Sequence, residues 1–199
     1  MNDFGTFFLI LISITIFYVY LENKATDVTY VRKGGIEFLV RNLDDKEKAA
    51  RLLSDICSNL TKLVEHLHTN IDDSKNNDET RAGIKRLKKN FNANAVVESS
   101  PGNKYTSYSI NKGEKIVFCL RSKDMDKNLV DLNTMMFVAI HEMAHLMTKE
   151  VGHTKNFWDN MKFLLQRAIE IDIYTKQEFN KIPKEYCGTM ITDTPLNSV

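Results

Sequence analysis

Residues 141–161 read HEMAHLMTKEVGHTKNFWDNM, and this stretch is the most informative part of the chain. His141 and His145 lie four residues apart, so a helix through them presents both imidazoles on one face, where they can bind one Zn²⁺. Glu142 follows the first histidine and is placed to serve as the general base of a metal-assisted hydrolysis. The pattern predicts a zinc site on an apolar helix that begins after an Asn133 cap and runs through Thr148.

A zinc hydrolase needs a third protein ligand, and His153 is the leading candidate. It lies eight residues beyond His145, too far along one continuous helix to share the ion. The chain must therefore break and turn back, and Gly152 provides a place where a break costs little. Glu150 and Glu170 are the acidic alternatives for the third ligand, and Glu170 would be the thermolysin-like choice.

The composition is typical of one folded globular domain: 199 residues, of which 43% are hydrophobic and 27% charged. Lys+Arg 27 against Asp+Glu 26 gives a net charge of +1, which gives no support to a nucleic-acid partner bound through net charge. The three cysteines, Cys57, Cys119 and Cys187, are widely spaced and odd in number. They argue against a disulfide framework and favour a reducing compartment.

The N-terminal residues 4–21, FGTFFLILISITIFYVYL, contain no charged side chain. At about 1.5 Å per residue they form roughly 27 Å of helix, just enough to cross a bilayer. Asp3 before the run, and no clear small-residue cleavage site after it, favour an uncleaved anchor over a signal peptide. Basic residues follow the run, which places the remainder on the cytoplasmic side. We expect a single-pass membrane protein with an anchor over 1–24 and a domain over 25–199.

The remainder of the chain predicts an α+β domain, with strands grouped before a helical half. Thr154 is expected to cap the last strong helix, which runs to about Ile171, and the tail from Lys181 is expected to be irregular. The earlier predicted elements are a hairpin over 28–41, helices over 44–68 and 79–89, and a small antiparallel meander over 96–97, 105–110 and 115–120.

The HExxH motif, followed by the glycine–histidine pair at 152–153 and the aromatic pair at 157–158, resembles the small SprT/WLM group of zinc proteases. The resemblance extends most firmly over residues 115–171. It implies a small zincin-like metalloprotease domain, an antiparallel meander with an active-site helix and packing helices, in which His153 is the third zinc ligand. The layout also resembles membrane-anchored members from large DNA viruses. Cellular members act on proteins crosslinked to DNA through additional binding tails, and we do not carry that role over.

These features predict a membrane-anchored zinc endopeptidase in which Glu142 takes a proton from a zinc-bound water and returns it to the leaving amine. Tyr186 is a candidate second oxyanion donor, because a phenol in the tail can fold back to the site. A protein or peptide substrate is expected along a strand of the 105–120 hairpin. The alternatives are a catalytically idle metal-binding membrane protein that uses the fold for interaction, and a structural membrane protein with an accidental motif.

Two further groups of residues receive plainer interpretations. Cys57 and Cys119 are predicted to be small buried hydrophobic residues. Cys187 is predicted to be a free thiol, the alternative being a latency switch in which its thiolate occupies the open zinc position. A basic helix face is interpreted as solvated, and comprises Arg81, Lys85, Arg86, Lys88 and Lys89.

Overall fold

The computed structural model describes residues 3–24, 27–73, 76–123 and 127–197 and confirms the α+β class. The helices are α1 (Asp3–Lys24), α2 (Lys46–Thr69), α3 (Asp78–Asn90), α4 (Leu132–Met147) and α5 (Lys155–Glu170). The strands are β1 (Val28–Lys33), β2 (Ile36–Arg41), β3 (Val96–Glu98), β4 (Ser107–Ile110), β5 (Lys115–Phe118), β6 (Lys184–Tyr186) and β7 (Thr189–Ile191). Short 3₁₀ turns cover Ala93–Ala95 and Pro195–Asn197.

The small central sheet differs from the predicted meander. Its strand order is β3-β5-β4, with β4 antiparallel to β5 but β3 parallel to β5. The connection over residues 99–106 carries the chain past the position of β5, and β5 then returns between the other two strands. Therefore the predicted antiparallel meander is wrong for β3, and β4 lies at an edge of this sheet.

Helix α4 is the central helix of the domain. Apolar side chains occupy nearly its whole circumference, and it packs against α2, α3 and α5. A helix that is apolar on all sides is stable only when other elements surround it. The amphipathic helices α2 and α5 bury one face each against it, which confirms their predicted role as packing helices.

The predicted N-terminal cap is confirmed for α5 and wrong for α4. Thr154 caps α5, since its hydroxyl accepts a hydrogen bond from the Phe157 N–H at 3.3 Å, as predicted. Helix α4 is capped by Asp131, whose carboxylate accepts from the Thr134 N–H at 2.9 Å, so the predicted Asn133 cap is wrong. Asn133 is instead held by the backbone of Thr175, which its side chain contacts through both a donor and an acceptor.

A buried ion-pair network joins the start of α2 to the central sheet. Arg121 is 3% exposed, and its Nε donates to Glu98 at 2.8 Å while one terminal nitrogen donates to Asp45 at 2.5 Å. These pairings lower the pKa of the Asp45 carboxyl, mainly through the hydrogen bond from Arg121. The network connects Asp45, Glu98 and Arg121, which are distant from one another in sequence.

Within the described residues, no helix combines the length and the apolar character that crossing a membrane requires. The predicted single-pass membrane localisation is therefore wrong. Helix α1 does form, over Asp3–Lys24.

The tail and the cysteines also differ from prediction. Cys119 and Cys187 form a disulfide across 68 residues of sequence, so the predictions of no disulfide and of a free Cys187 thiol are wrong. The β6–β7 hairpin, in a tail predicted to be irregular, brings Cys187 back to the end of β5, a juxtaposition that sequence spacing does not reveal. The bond removes the argument for a reducing compartment and for a Cys187 latency switch. Cys57 is a buried free thiol, as predicted, and burial raises its pKa to about 12.

Candidate metal centre

Three histidines converge at the C-terminal half of α4. His141 and His145 lie one turn apart on this helix, and His153 follows it in the chain. One ligand nitrogen from each lies within 4.8 Å of the other two. The Nε2 atoms of His141 and His153 are 3.1 Å apart.

A sharp return of the chain carries His153 to the helix. Helix α4 ends at Met147, and Gly152 adopts a φ of +86°, a left-handed conformation that glycine reaches without strain. The Thr154 cap then starts α5 immediately after His153. The break predicted at Gly152 is confirmed, and it places His153 opposite the helix rather than along it.

Both acidic alternatives for a third ligand lie outside this cluster. The Glu150 carboxylate accepts a hydrogen bond from the Asn156 side chain at 2.8 Å. The Glu170 carboxylate pairs with Arg167 at 2.6 Å at the far end of α5. The described residues therefore bring together the three histidines and neither of these carboxylates.

The donor set fits a zinc ion. Two imidazole nitrogens that each lie about 2.0–2.1 Å from one tetrahedral ion are separated by roughly 3.4 Å, close to the separation observed for His141 and His153. Burial, with smaller contributions from neighbouring charges, lowers the pKa of His141 to about 3 and that of His145 to about 4. Both rings are thus neutral at pH 7, the form in which imidazole binds a metal.

Aromatic side chains of α5 pack behind the histidines. The Phe157 ring lies 4.9, 4.3 and 4.7 Å from the rings of His141, His145 and His153, centroid to centroid. Trp158 lies 5.5 Å from His153 and is 43% exposed, whereas Phe157 is fully buried. The apolar backing restricts the orientations of the three rings, which keeps their nitrogens directed to one point.

Glu142 lies beside the cluster in an apolar setting. Its side chain is on the same helix and is only 3% exposed. Burial raises the pKa of this carboxyl from an ordinary value of 4.5 to about 7, and a hydrogen bond with Ser109 partly opposes the shift. A carboxyl with a pKa near neutral pH can both accept and release a proton at physiological pH.

An open cleft of about 540 Å³ connects these groups to solvent. One wall is the edge strand β4 with the turn that follows it, and the other is α4 with the return to α5. Ser107 and Ser109 alternate along β4, so they share one face of the strand. The sequence interpretation missed Ser107, Ser109 and Lys112. The residues that line the cleft are Ser107, Tyr108, Ser109, Asn111, Lys112, His141, Glu142, His145, Val151, Gly152 and His153.

Tyr186 lies behind the β4 wall. Its side chain is 3% exposed, and its phenolic oxygen is 2.6 Å from the Ser107 hydroxyl. Burial raises the pKa of Tyr186, and the charge of Glu142 makes a smaller contribution in the same direction. The tail therefore reaches the site as the sequence interpretation expected, and the role of Tyr186 as an oxyanion donor stays a prediction.

Comparison with known proteins places these observations in a family. A family model described as the WLM domain matches residues 78–197, which include every histidine of the cluster. An uncharacterised protein of Acanthamoeba polyphaga mimivirus is 32% identical over 190 residues, covering 94% of each chain. An uncharacterised protein of invertebrate iridescent virus 6 is 36% identical over 106 residues, which is 53% of this chain and 57% of the relative. A third, from invertebrate iridescent virus 3, is 35% identical over 98 residues, 49% of this chain and 56% of its own. No solved structure matches.

Proposed function

The chain belongs to the WLM domain family, a SprT-like family of zincin-like proteins, and from this premise we propose that it is a zinc-dependent endopeptidase. The observation that carries the proposal is the convergence of three histidine nitrogens with a buried glutamate in one open cleft. A metal-binding fold used only for interaction has no need of a carboxyl buried next to the ligands, since such burial costs stability.

His141, His145 and His153 would hold the zinc ion. When bound, zinc supplies Lewis-acid chemistry, acidifying a water molecule and polarising a carbonyl group. The neutral rings of His141 and His145 are ready for this role at pH 7, because little proton release from them is needed before binding. The Phe157 ring keeps water away from the back of the three imidazoles.

Glu142 would move the proton. With a pKa near 7 and the Ser109 hydroxyl orienting it, the carboxyl can take a proton from a water in the cleft and pass it to the amine of the leaving peptide. An amide at this position would keep the shape and the hydrogen bond but could not carry the proton. Glu142→Gln therefore separates metal binding from catalysis.

The substrate would bind as an extended peptide along β4. Among the described residues this strand pairs with β5 on one side only, so the backbone groups of its other edge are available to a peptide strand. The same edge lines the cleft beside Glu142. Recognition through backbone hydrogen bonds gives modest sequence selectivity and suits cleavage within a chain rather than at its end.

Tyr186 would assist as a hydrogen-bond donor at the far wall. Its phenol is already hydrogen-bonded to Ser107, which lines the cleft. In this proposal the phenolic proton turns from Ser107 to the substrate oxygen as charge develops on that oxygen.

The proposal is tested with the full chain loaded with zinc and β-casein, a disordered protein, as the probe substrate. We expect the wild type to generate new peptide termini, detected by mass spectrometry. Glu142→Gln is expected to retain zinc and lose cleavage by at least 100-fold, while Glu185→Gln, a change at an exposed carboxylate, keeps both. Equal cleavage by wild type and Glu142→Gln would overturn the proposal. Zinc binding without cleavage in the wild type would favour the idle metal-binding alternative.

A further inference from the structure

We infer that Lys112 is a positioning residue, which fixes the end of the motif helix and the turn that returns to His153. The inference rests on the proposed zinc site, because its functional consequence is the geometry of His145 and His153. Lys112 belongs to the hairpin turn between β4 and β5, more than 30 residues before these histidines in the chain.

The ammonium group of Lys112 binds three backbone carbonyls. Its Nζ donates to the oxygens of His145 at 2.9 Å, Thr148 at 2.8 Å and Glu150 at 2.7 Å. A lysine ammonium has three N–H donors, so all of them are engaged. Lys112 lines the cleft, yet it has no N–H left for a substrate carbonyl or carboxylate, and its role is therefore structural support of the site.

The contact completes the C-terminal cap of α4. The last four carbonyls of a helix lack partners within the helix, and cations near them also offset the negative end of its dipole. In this helix all four are satisfied, two of them by cationic side chains. Their partners are the Thr148 N–H on Ala144 at 2.9 Å, Lys112 on His145, the Asn90 amide on Leu146 at 3.5 Å and Arg86 Nε on Met147 at 2.9 Å.

Backbone conformation places Lys112 at this position. Asn111, Lys112 and Gly113 have φ values of 46°, 56° and 114°, so the turn is left-handed throughout. A Cβ on Gly113 would lie 2.2 Å from the carbonyl oxygen of Asn90, which only glycine avoids. The close approach seats the turn on the end of α3 and directs the Lys112 side chain across to α4.

The bonds to Thr148 and Glu150 lie within the segment that joins His145 to His153. They hold the backbone of this segment on both sides of Lys149, while the segment ends at an exposed Val151 and at Gly152 with its left-handed φ. Without the ammonium, these carbonyls lose their hydrogen-bond donor. The backbone between the end of α4 and His153 is then no longer held in one conformation. His153 would then reach the ion only after ordering the turn, which lowers metal affinity.

The experiment compares Co²⁺ and Zn²⁺ affinity of full-length wild type, Lys112→Met and Lys112→Arg. Lys115→Met is the matched control, an exposed lysine in the same hairpin. We expect a 10- to 100-fold weaker affinity for Lys112→Met, the range seen when residues supporting metal ligands are removed, and no change beyond twofold for Lys115→Met. Lys112→Arg should lose less metal affinity than Lys112→Met, because it keeps the positive charge. It should still bind metal more weakly than wild type, because a planar guanidinium cannot direct three diverging donors to these carbonyls. The Co²⁺ absorption band of Lys112→Arg should differ from that of wild type, which would report a changed ligand geometry.

Hydrogen exchange in the metal-free proteins separates this inference from the proposed function. The amides of residues 148–154 should exchange at least tenfold faster in Lys112→Met than in wild type, whether or not the wild type binds zinc. A folded Lys112→Met with wild-type exchange in this segment and wild-type metal affinity would overturn the inference. Absence of metal binding by the wild type, with faster exchange in the variant, would count against the proposed function and leave the support role of Lys112 intact. If Lys112→Met does not fold, the same two measurements on Lys112→Arg decide.

Discussion

Replacing Glu142 with glutamine is expected to stabilise the metal-free protein at alkaline pH. The carboxyl is 3% exposed and its pKa is raised from 4.5 to about 7 by burial. Above pH 7 the folded chain therefore carries a buried negative charge that accepts a hydrogen bond from the Ser109 hydroxyl. A neutral amide of the same shape removes that charge and can keep the hydrogen bond.

The magnitude follows from the pKa displacement of Glu142. Raising a pKa from 4.5 to about 7 corresponds to about 3 kcal/mol of unfavourable free energy for the ionised form. The folded state holds a proton that the unfolded chain releases between pH 4.5 and 7, so the contribution of Glu142 to stability declines as pH rises through this window. Glutamine does not titrate. The advantage of Glu142→Gln should therefore be about 3 kcal/mol at pH 8 and should vanish near pH 4.5.

Urea unfolding of both proteins in the presence of a chelator, at pH 8 and pH 5, measures this difference. At pH 8 we expect the midpoint of Glu142→Gln to lie about 1 M urea or more above that of wild type. The titrations of His141 and His145 are common to both proteins and cancel in the comparison. Glu185→Gln, at an exposed carboxylate, should change stability by less than about 0.5 kcal/mol at either pH. A Glu142→Gln protein that is no more stable than wild type at pH 8, or equally stabilised at both pH values, would refute the reasoning.

Three other perturbations have defined outcomes. Arg121→Met should lower the free energy of unfolding by about 3–5 kcal/mol, because the buried Glu98 carboxylate keeps its hydrogen bond from the Arg41 N–H but loses its cationic partner. A loss below about 1 kcal/mol in urea unfolding would contradict the network's role. Replacing Cys119 and Cys187 with serine should lower the free energy of unfolding by about 4 kcal/mol, because the unfolded chain gains conformational entropy. It should also expose the 184–191 hairpin to proteases, since a two-stranded hairpin is only marginally stable alone. A tail as protease-resistant as that of the wild type would count against this prediction. Tyr186→Phe should lower kcat by about 10²–10³ with zinc content unchanged, whereas an unaltered kcat would remove the phenol from the mechanism.

Periodicity and motif spacing accounted for much of the fold. The three-four spacing of apolar residues located α2 and α5, and the HExxH spacing placed two histidines on one face of α4. Those signals are local, so they can be read without knowing which elements meet. The parallel pairing of β3 with β5 and the disulfide depend on where distant segments meet, and neither followed from spacing. The single-pass localisation rests on the apolar composition of residues 4–21 alone, and composition does not determine location.

The candidate site was predictable to a similar extent. His153 was inferred because Gly152 offers a break where one is needed, and the left-handed φ of that glycine bears the break out. Ser109 and Lys112 went unnoticed, since a serine in a strand and a lysine in a turn carry no motif. Their importance comes from the packing of the β4–β5 hairpin on the end of α4, a tertiary contact that only the structure supplies.

Zinc content is the measurement that bears most directly on the three-histidine site. Elemental mass spectrometry on the purified full-length chain should find about one zinc per wild-type molecule, as one tetrahedral site requires. His153→Ala should lose most of it while remaining folded, because two histidines alone hold the ion weakly. A well-folded wild-type protein without zinc after incubation with Zn²⁺, or full zinc retention by His153→Ala, would contradict the account.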